Sequence, residues 1–331
     1  GSNGAAGASG LSRSAGSSGS TGSAGTSGVD GTSGLSRTSG TSGSTGTPKE
    51  IHLSTAAVTA SAKAANTFLK ADAGNSWSLL LPLTHIAGIN VLVREILRKS
   101  EVLDFRNNSQ YTKADFTAIV PTQLNRALTA DHQLLKHLQE AKAVLVGGAP
   151  LAESDKQSAH ANGINVITTY GMSETSGGCI YNGTPLDGVA VKIVENIIYL
   201  RGPMLAQVPL VDGWLKTADI GRLENGKLAV FGRSDDQIIS GGEKISLSAI
   251  EQALSENFES IFLAFAKPDQ EWGERLCIVT TLELSQDTIS HFLKNRFGGY
   301  ATPKEIHKVD EIPLIGIGKP DRAKLIERLA K

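Results

Sequence analysis

The sequence has few cysteines, no long apolar run and no pattern typical of secretion. Only two of the 331 residues are cysteine, Cys179 and Cys277, and they form no C-x-x-C pair. This argues against a disulfide framework or a zinc site and fits a reducing compartment. The longest apolar runs, at 77–83 and 90–97, are too short or too charged to cross a bilayer. Because the N-terminus also lacks a basic-then-apolar signal sequence, we expect a cytoplasmic protein without a membrane span.

An excess of charge of either sign is missing too. The net charge is −1, so no global field would steer nucleic acid or an acidic membrane towards the chain. The seven histidines show no metal-ligand spacing. We therefore expect no nucleic-acid partner, and no metal other than one carried by a nucleotide.

Proline is absent before Pro48, and this decides how the N-terminal tract is interpreted. Residues 1–40 consist almost entirely of Gly, Ser, Ala and Thr, with glycine at nearly every third position. A collagen helix has the same glycine period but depends on proline. We therefore predict that residues 1–40 form a Gly/Ser-rich low-complexity tail, with a polyglycine-type assembly as the alternative.

After Lys49 the pattern of the sequence changes twice. A predicted helix at 54–71 is followed by alternating strands and helices, which predicts a mostly parallel sheet with helices on its faces. From 189 onward the strands are short and include a hairpin turned at Asn225-Gly226. After Asp235 the pattern is that of a small α+β domain. The alternating elements that we predict are strands 77–81, 101–105, 116–120, 143–147 and 164–170, and helices 87–99, 122–128 and 151–161.

The predicted fold class is therefore α/β. A large N-terminal α/β domain with a mostly parallel sheet and a β-rich subdomain is joined by a hinge to a small C-terminal α+β domain. The predicted boundaries are 1–40 for the tail, 41–234 for the large domain and 235–331 for the small one.

The segment TSGSTGTPKE at 41–50 is the first candidate for chemistry. Its glycines, hydroxyls and lysine could all contact phosphate oxygens. Pro48 and Glu50 stand where the Walker A motif needs Gly and Ser or Thr. Its glycines are also in phase with the preceding tract. The segment alone therefore leaves a phosphate loop and the end of a tract equally open.

Two further candidates follow predicted strands, where α/β folds bind ligands. TTYGMSETSGG at 168–178 offers the Glu174 carboxylate, a hard oxygen ligand suited to Mg²⁺, and the Ser173 hydroxyl. VGGAPL at 146–151 has paired glycines that would let a flat ring approach the backbone. A polar surface loop explains the first segment and a tight turn explains the second, so both alternatives stay open here.

The remaining candidates are single residues. Asp219 and Arg233 lie near opposite ends of the predicted hairpin, so both could reach one polyol. Lys319 lies in the glycine-flanked turn GIGKPD. His85 follows a buried-looking strand. A solvated hairpin, a solvated lysine and a structural imidazole are the alternative interpretations.

The order of these motifs resembles that of the acyl-adenylate-forming (ANL) superfamily. The motifs are TSGSTGTPKE, PLTHIAG, YGMSET, GWLKTADIGRL, GRSDDQIISGGEKIS and GIGKP, and they extend over about 41–331. The segment 170–189 and the compact length look most like the short o-succinylbenzoate–CoA ligases of menaquinone biosynthesis. The resemblance implies an ATP-dependent acid–CoA ligase (acyl-CoA synthetase, AMP-forming) that acts through an acyl-AMP intermediate, with ATP, Mg²⁺ and CoA as cofactors or co-substrates and a small carboxylic acid as substrate. It leaves a homodimer open.

The resemblance also implies a role for individual residues. Lys319 would be the adenylation lysine, Glu174 would hold Mg²⁺ and Ser173 would contact the α-phosphate. Asp235 would be the hinge, and His85 and Thr122 would line the acyl pocket. The implied phosphate loop is Thr41, Ser42, Gly43, Ser44, Thr45 and Gly46 with Lys49. The implied nucleoside contacts are Gly147, Gly148, Ala149, Tyr170, Asp219 and Arg233, and those of the CoA step are Gly241, Gly242 and Lys244.

Three alternatives stay open at the level of the sequence. One is another aryl- or acyl-CoA ligase, and a second is an adenylation enzyme that loads a carrier protein. The third is an inactive nucleotide-binding relic, because LSRTSG precedes the phosphate loop where the family normally has an apolar strand. The segment 240–245 does not separate CoA from a carrier thiol.

Overall fold

A computed structural model describes residues 50–108, 110–258, 260–315 and 319–329. The predicted tail and the predicted phosphate-loop residues, including Lys49, lie outside the described residues. The helices in the described part are α1 (Thr55–Leu69), α2 (Ile86–Arg98), α3 (Pro121–Thr129), α4 (His132–Glu140), α5 (Glu153–Ala161), α6 (Leu247–Phe258), α7 (Gln286–Phe297) and α8 (Arg322–Leu329).

The strands of the described part belong to four sheets. In chain order they are β1 (Trp77–Leu79), β2 (Val102–Asp104), β3 (Phe116–Ile119), β4 (Ala143–Val146), β5 (Val166–Met172), β6 (Gly177–Tyr181), β7 (Thr184–Pro185), β8 (Ala190–Val194), β9 (Ile197–Arg201), β10 (Leu215–Glu224), β11 (Lys227–Arg233), β12 (Gln237–Ser240), β13 (Glu243–Ser246), β14 (Phe262–Asp269), β15 (Gly273–Thr280), β16 (Glu305–Lys308), β17 (Leu314–Ile315) and β18 (Lys319–Pro320).

The largest sheet has the strand order β2-β1-β3-β4-β5-β6-β7. Its first five strands pair in parallel, whereas β6 and β7 are antiparallel. Every residue of β3 and β4 is buried, because helices cover both faces of the sheet. Ala65 of α1 and Val91 of α2 pack against one face. Leu124, Leu138 and Ala159, from α3, α4 and α5, pack against the other.

The second sheet is antiparallel, with the order β11-β10-β9-β8. Asn225 and Gly226 join β10 to β11 with positive φ angles of 50° and 76°, which is the hairpin turn that the Asn-Gly pair predicts. A further sheet, β13-β12-β15-β14 with β16 beside β15, carries α6 and α7 on one face and Leu325 of α8 on the other. Strands β17 and β18 form a small separate sheet.

The predicted fold class is confirmed: a large sheet with a parallel part, a separate antiparallel sheet and a C-terminal α+β part. Several element bounds differ by one or two residues from the sequence-based expectation, and one helix is additional. Helix α4 was not predicted, although Asp131 caps it by accepting a hydrogen bond from the Leu134 N–H at 3.0 Å. Strand β5 continues to Met172, beyond the predicted end at 170. The domain boundaries themselves stay a prediction.

Among the described residues, none of the helices is both long and apolar enough to cross a membrane.

Candidate active site

The carboxyl ends of four neighbouring parallel strands bring several predicted site residues to one edge of the sheet. Strands β1, β3, β4 and β5 lie side by side. His85 follows β1, half-buried, as the residue before α2. Thr122 follows β3 as an exposed residue in the first turn of α3. Gly147 follows β4, and Tyr170 lies near the end of β5. This edge is where ligands bind in open α/β sheets.

Asp219 is an acidic side chain near this edge that several contacts hold in place. The Tyr170 hydroxyl donates to its Oδ2 at 2.6 Å, across 49 residues of sequence. The backbone N–H of Asp219 donates to Thr217 Oγ1 at 3.0 Å, and that hydroxyl donates to the Ile198 carbonyl at 2.8 Å. Burial raises the pKa of the Tyr170 phenol, and the neighbouring Asp219 carboxylate raises it further. Tyr170 therefore remains a hydrogen-bond donor at neutral pH.

Arg233 connects Asp219 to the predicted hinge residue. Asp219 and Arg233 are partners across the β10–β11 hairpin, and Arg233 Nη1 donates to Asp219 Oδ1 at 3.4 Å. The same guanidinium binds Asp235 with two hydrogen bonds of 2.7 and 2.5 Å. These bonds lower the pKa of Asp235 and raise that of Arg233. The Arg233 side chain is 52% exposed, so its cation is accessible to a ligand.

Ser173 and Glu174 lie in a short 3₁₀ turn, 173–175, between β5 and β6. Thr175 holds this turn: its Oγ1 accepts the Met172 N–H at 2.9 Å and lies 3.0 and 2.7 Å from the Met172 and Gly177 carbonyl oxygens. The Glu174 carbonyl accepts the Ala206 N–H at 2.8 Å. The turn is fixed by the Thr175 hydroxyl and by a neighbouring loop.

The paired glycines after β4 allow a close approach between β4 and β5. A Cβ at Gly147 would lie 2.1 Å from Thr169 Oγ1, which only glycine avoids. Gly148 has a φ of 85°, a left-handed conformation that favours glycine. Ala149 follows as an exposed residue. The backbone is therefore accessible here, as a flat ligand ring requires.

The remaining candidates lie in the C-terminal part. Gly241 and Gly242 form the turn between β12 and β13 with φ angles of 60° and 85°, and Lys244 is exposed on β13. Lys319 lies in β18 opposite Ile315. The structure gives the backbone conformation and strand pairing of these residues. Their role in the reaction stays a prediction.

The donor set suits magnesium carried by a nucleotide. Within the described ranges, there is no group of three or more His, Cys, Asp or Glu side chains that could hold a metal ion. Mg²⁺ is typically bound by one or two carboxylates together with phosphate oxygens. The single Glu174 carboxylate fits that mode of binding.

Sequence reasoning missed Thr217, which fixes the Asp219 backbone. The signal was present: alternate residues of a strand share one face, so Thr217 and Asp219 must lie side by side on β10. It also missed Ser61 and Asn90, whose contacts join residues far apart in the sequence.

Comparisons with known proteins identify the family. The AMP-binding enzyme family matches residues 41–198, and the AMP-binding enzyme C-terminal domain matches 250–319. The probable 2-succinylbenzoate–CoA ligase of Mycobacterium tuberculosis is 36% identical over 319 residues, covering 86% of this chain and 82% of that protein.

Two solved structures have the same fold. A variant of Escherichia coli MenE with bound OSB-AMS is 27% identical with a TM-score of 0.74, covering 88% of this chain and 67% of that chain. The o-succinylbenzoate coenzyme A synthetase of Bacillus subtilis, in complex with ATP and a magnesium ion, has a TM-score of 0.75 at 23% identity, covering 87% and 69%. The chain belongs to the family of AMP-binding enzymes.

Proposed function

We propose that this protein is an ATP-dependent acid–CoA ligase that converts o-succinylbenzoate to o-succinylbenzoyl-CoA through an acyl-AMP intermediate. The observation that carries the proposal is the cluster of Tyr170, Asp219 and Arg233 beside the carboxyl ends of the parallel strands. The names of the relatives supply the substrate class: the Mycobacterium tuberculosis protein is a probable 2-succinylbenzoate–CoA ligase.

The cluster suits a ribose. Tyr170 holds the Asp219 carboxylate and Thr217 holds the Asp219 backbone, so the carboxylate is oriented before a ligand arrives. A carboxylate with fixed orientation accepts hydrogen bonds from ribose hydroxyls at little entropic cost. Arg233, half-exposed beside it, adds a donor to the same ligand. We assign the backbone of residues 147–149, which is exposed at Gly148 and Ala149, to the adenine.

The first half-reaction places its charge on phosphate oxygens. A carboxylate oxygen of the acid attacks the α-phosphorus of ATP, and the bond to pyrophosphate breaks. Magnesium bound to the phosphates neutralises part of this charge. We assign Glu174 to hold it and Ser173 to contact the α-phosphate, while Lys49 and the loop 41–46 contact the β- and γ-phosphates and Lys319 bridges acid and α-phosphate. Fixed donors and cations of this kind stabilise the transition state.

In the second half-reaction the CoA sulfur attacks the acyl carbonyl carbon, and the bond to AMP breaks. We assign the backbone of Gly241 and Gly242, with Lys244, to the path of the CoA thiol. Asp235 is the proposed hinge between the two arrangements, and its ion pair with Arg233 lies where the large domain would meet the small one. A hinge motion needs only a few backbone angles at such a position. His85 and Thr122 are the proposed acyl-pocket residues.

Partners and location follow the same proposal. The substrates are a small carboxylic acid, ATP and CoA. Cys179 and Cys277 are both buried free thiols, in keeping with a cytoplasmic location. A homodimer stays a prediction.

Isotope exchange between pyrophosphate and ATP, in the presence of a panel of carboxylic acids, tests the proposal. We expect exchange with o-succinylbenzoate well above that with benzoate or fatty acids, and AMP release that depends on added CoA. Exchange without CoA-dependent release would favour a carrier-loading adenylation enzyme. The absence of ATP binding and of exchange with every acid would overturn the proposal in favour of a non-catalytic relic.

A further inference from the structure

The backbone just after the Ser173–Glu174 turn adopts a left-handed conformation deep inside the protein. Ser176 has a φ of 50°, is fully buried and precedes Gly177, whose φ is 92°. A residue other than glycine rarely adopts this conformation unless its surroundings stabilise it. Within the turn, the Ser176 N–H donates to the Ser173 carbonyl at 3.0 Å, and further contacts come from elsewhere in the fold.

Two side chains from two different helices converge on the Ser176 carbonyl oxygen. Ser61 Oγ on α1 donates to it at 2.9 Å, and Asn90 Nδ2 on α2 donates to it at 2.8 Å. Both side chains are buried, with exposed fractions of 3% and 1%. The Ser176 hydroxyl in turn donates to the Met204 carbonyl at 2.8 Å. Since buried hydrogen bonds fix geometry strongly, the chain is held at this residue by contacts with three other segments.

Gly177 is shaped to admit one of these donors. A Cβ at Gly177 would lie 2.4 Å from Asn90 Nδ2, so any other residue would displace the Asn90 amide from the carbonyl. The hydrogen bond between Asn90 and the Ser176 carbonyl therefore depends on glycine at position 177.

We propose that Ser61 and Asn90 are positioning residues for the adenylation step. By fixing the Ser176 carbonyl, they set the orientation of the turn that carries Ser173 and Glu174 two or three residues earlier. Neither side chain needs to touch the nucleotide. The inference rests on the proposed function, in which Ser173 contacts the α-phosphate and Glu174 holds Mg²⁺.

The chain offers a matched control on the same two helices. Asn66 of α1 donates to the Arg94 carbonyl of α2 at 3.2 Å. This bond joins α1 to α2. It does not involve the turn, whereas the bonds of Ser61 and Asn90 join the two helices to the Ser176 carbonyl. An Asn66→Ala variant therefore loses one side-chain hydrogen bond to a backbone carbonyl, as the other variants do, but it leaves both donors of the Ser176 carbonyl in place.

The experiment compares Ser61→Ala, Asn90→Ala, the double variant and Asn66→Ala in the exchange assay, with unfolding midpoints measured in urea. We expect kcat to fall about tenfold in each single variant at the turn, as for a lost buried hydrogen bond. The Mg²⁺ concentration for half-maximal rate should rise, while KM for the acid changes less than about twofold. The double variant should lose more than the product of the single losses, because one acceptor then has no donor from either helix.

Two outcomes separate the role from the proposed function. If the unsubstituted protein exchanges pyrophosphate but Ser61→Ala and Asn90→Ala only lower the urea midpoint, as Asn66→Ala does, the positioning role is overturned and the function stands. If the unsubstituted protein shows no exchange with any acid, the proposed function fails and the role fails with it. Ser61→Ala removes a single oxygen and introduces alanine, which favours a helix. We therefore expect this variant to fold even where Asn90→Ala does not.

Discussion

Asp219 shows how much one residue depends on contacts from distant parts of the chain. Its partner Arg233 could be predicted, because a hairpin turned at Asn225-Gly226 brings both ends of its strands together. Tyr170 could not be placed in the same way, because it reaches Asp219 from a different sheet. The Tyr170 hydroxyl donates to the carboxylate, and its raised pKa keeps that donor protonated. The two contacts together fix the carboxylate that we assign to the ribose.

A second residue-scale effect concerns His137, which lies in the core. Its Nε2 lies 2.8 Å from Ser78 Oγ, its ring stacks on Tyr111, and it is 2% exposed. Burial lowers its pKa, while Glu140 and the Thr112 backbone act in the opposite direction. The folded protein therefore favours the neutral imidazole.

This gives a pH dependence of stability with a defined sign. In the unfolded chain a histidine has a pKa of about 6.5. Because the folded-state pKa is lower, the contribution of His137 to stability is complete above about pH 6.5 and is lost as the pH falls below that value. We expect His137→Gln to flatten the decrease in the free energy of unfolding between about pH 6.5 and 5, as measured by urea titration at several pH values.

His132 provides the control for that measurement, since it is an exposed residue on the same helix α4. His132→Gln should leave the pH dependence as in the unsubstituted protein. An equal flattening in both variants would show that burial of His137 is not its cause.

At the scale of the element, the parallel strands determine where the site is built. The alternation of strands and helices predicted a parallel sheet, whose strands have their carboxyl ends at one edge. Residues 147 and 170 were expected at such strand ends, whereas Thr122 was identified only through the resemblance to the family. Helix α4 was missed because it is short, mixes polar and apolar residues, and follows α3 after only two intervening residues. Its capping residue, Asp131, was the available signal.

Strand spacing at β4 and β5 leads to a prediction about Gly147. A Cβ there would lie 2.1 Å from Thr169 Oγ1 and 3.0 Å from the Thr169 carbonyl oxygen. Gly147→Ala should therefore destabilise the protein by about 1–3 kcal/mol, as overpacking does, and weaken ATP binding. The unfolding midpoint in urea and a calorimetric titration with ATP measure the two effects.

Two further variants show whether the clash itself is responsible. Thr169→Ala in the Gly147→Ala background removes the nearer atom and should restore part of the lost stability. Gly299→Ala, where an added Cβ would meet nothing within 4 Å, should leave stability within about 0.5 kcal/mol, as a surface change does. If the double variant is no more stable than Gly147→Ala, the contact with Thr169 Oγ1 is not the cause.

At the scale of the whole molecule, the residues assigned to the proposed activity lie in or beside different sheets. The order of the motifs identified the family and so allowed these parts to be assigned to one reaction. Ser61 and Asn90 could not be identified in this way, because serine and asparagine within helices are not distinctive. Their significance arises only when α1 and α2 pack beside the turn at 173–175. Long-range packing, rather than local pattern, decides such contacts.

A variant of Lys319, which lies on β18 in the C-terminal part, tests whether the two half-reactions depend on different residues. If this cation stabilises the negative charge that develops at the α-phosphate, Lys319→Ala should lower the rate of pyrophosphate exchange by about 10²–10³-fold. In the proposed second half-reaction, the hinge motion at Asp235 brings Gly241, Gly242 and Lys244 to the site in place of Lys319. Conversion of supplied acyl-AMP and CoA to acyl-CoA should therefore fall less than about tenfold. Lys324→Ala, an exposed lysine on α8, should leave both rates unchanged. Equal losses in the two half-reactions would contradict a role of Lys319 in adenylation alone, because a residue that serves only the first chemical step cannot limit the second.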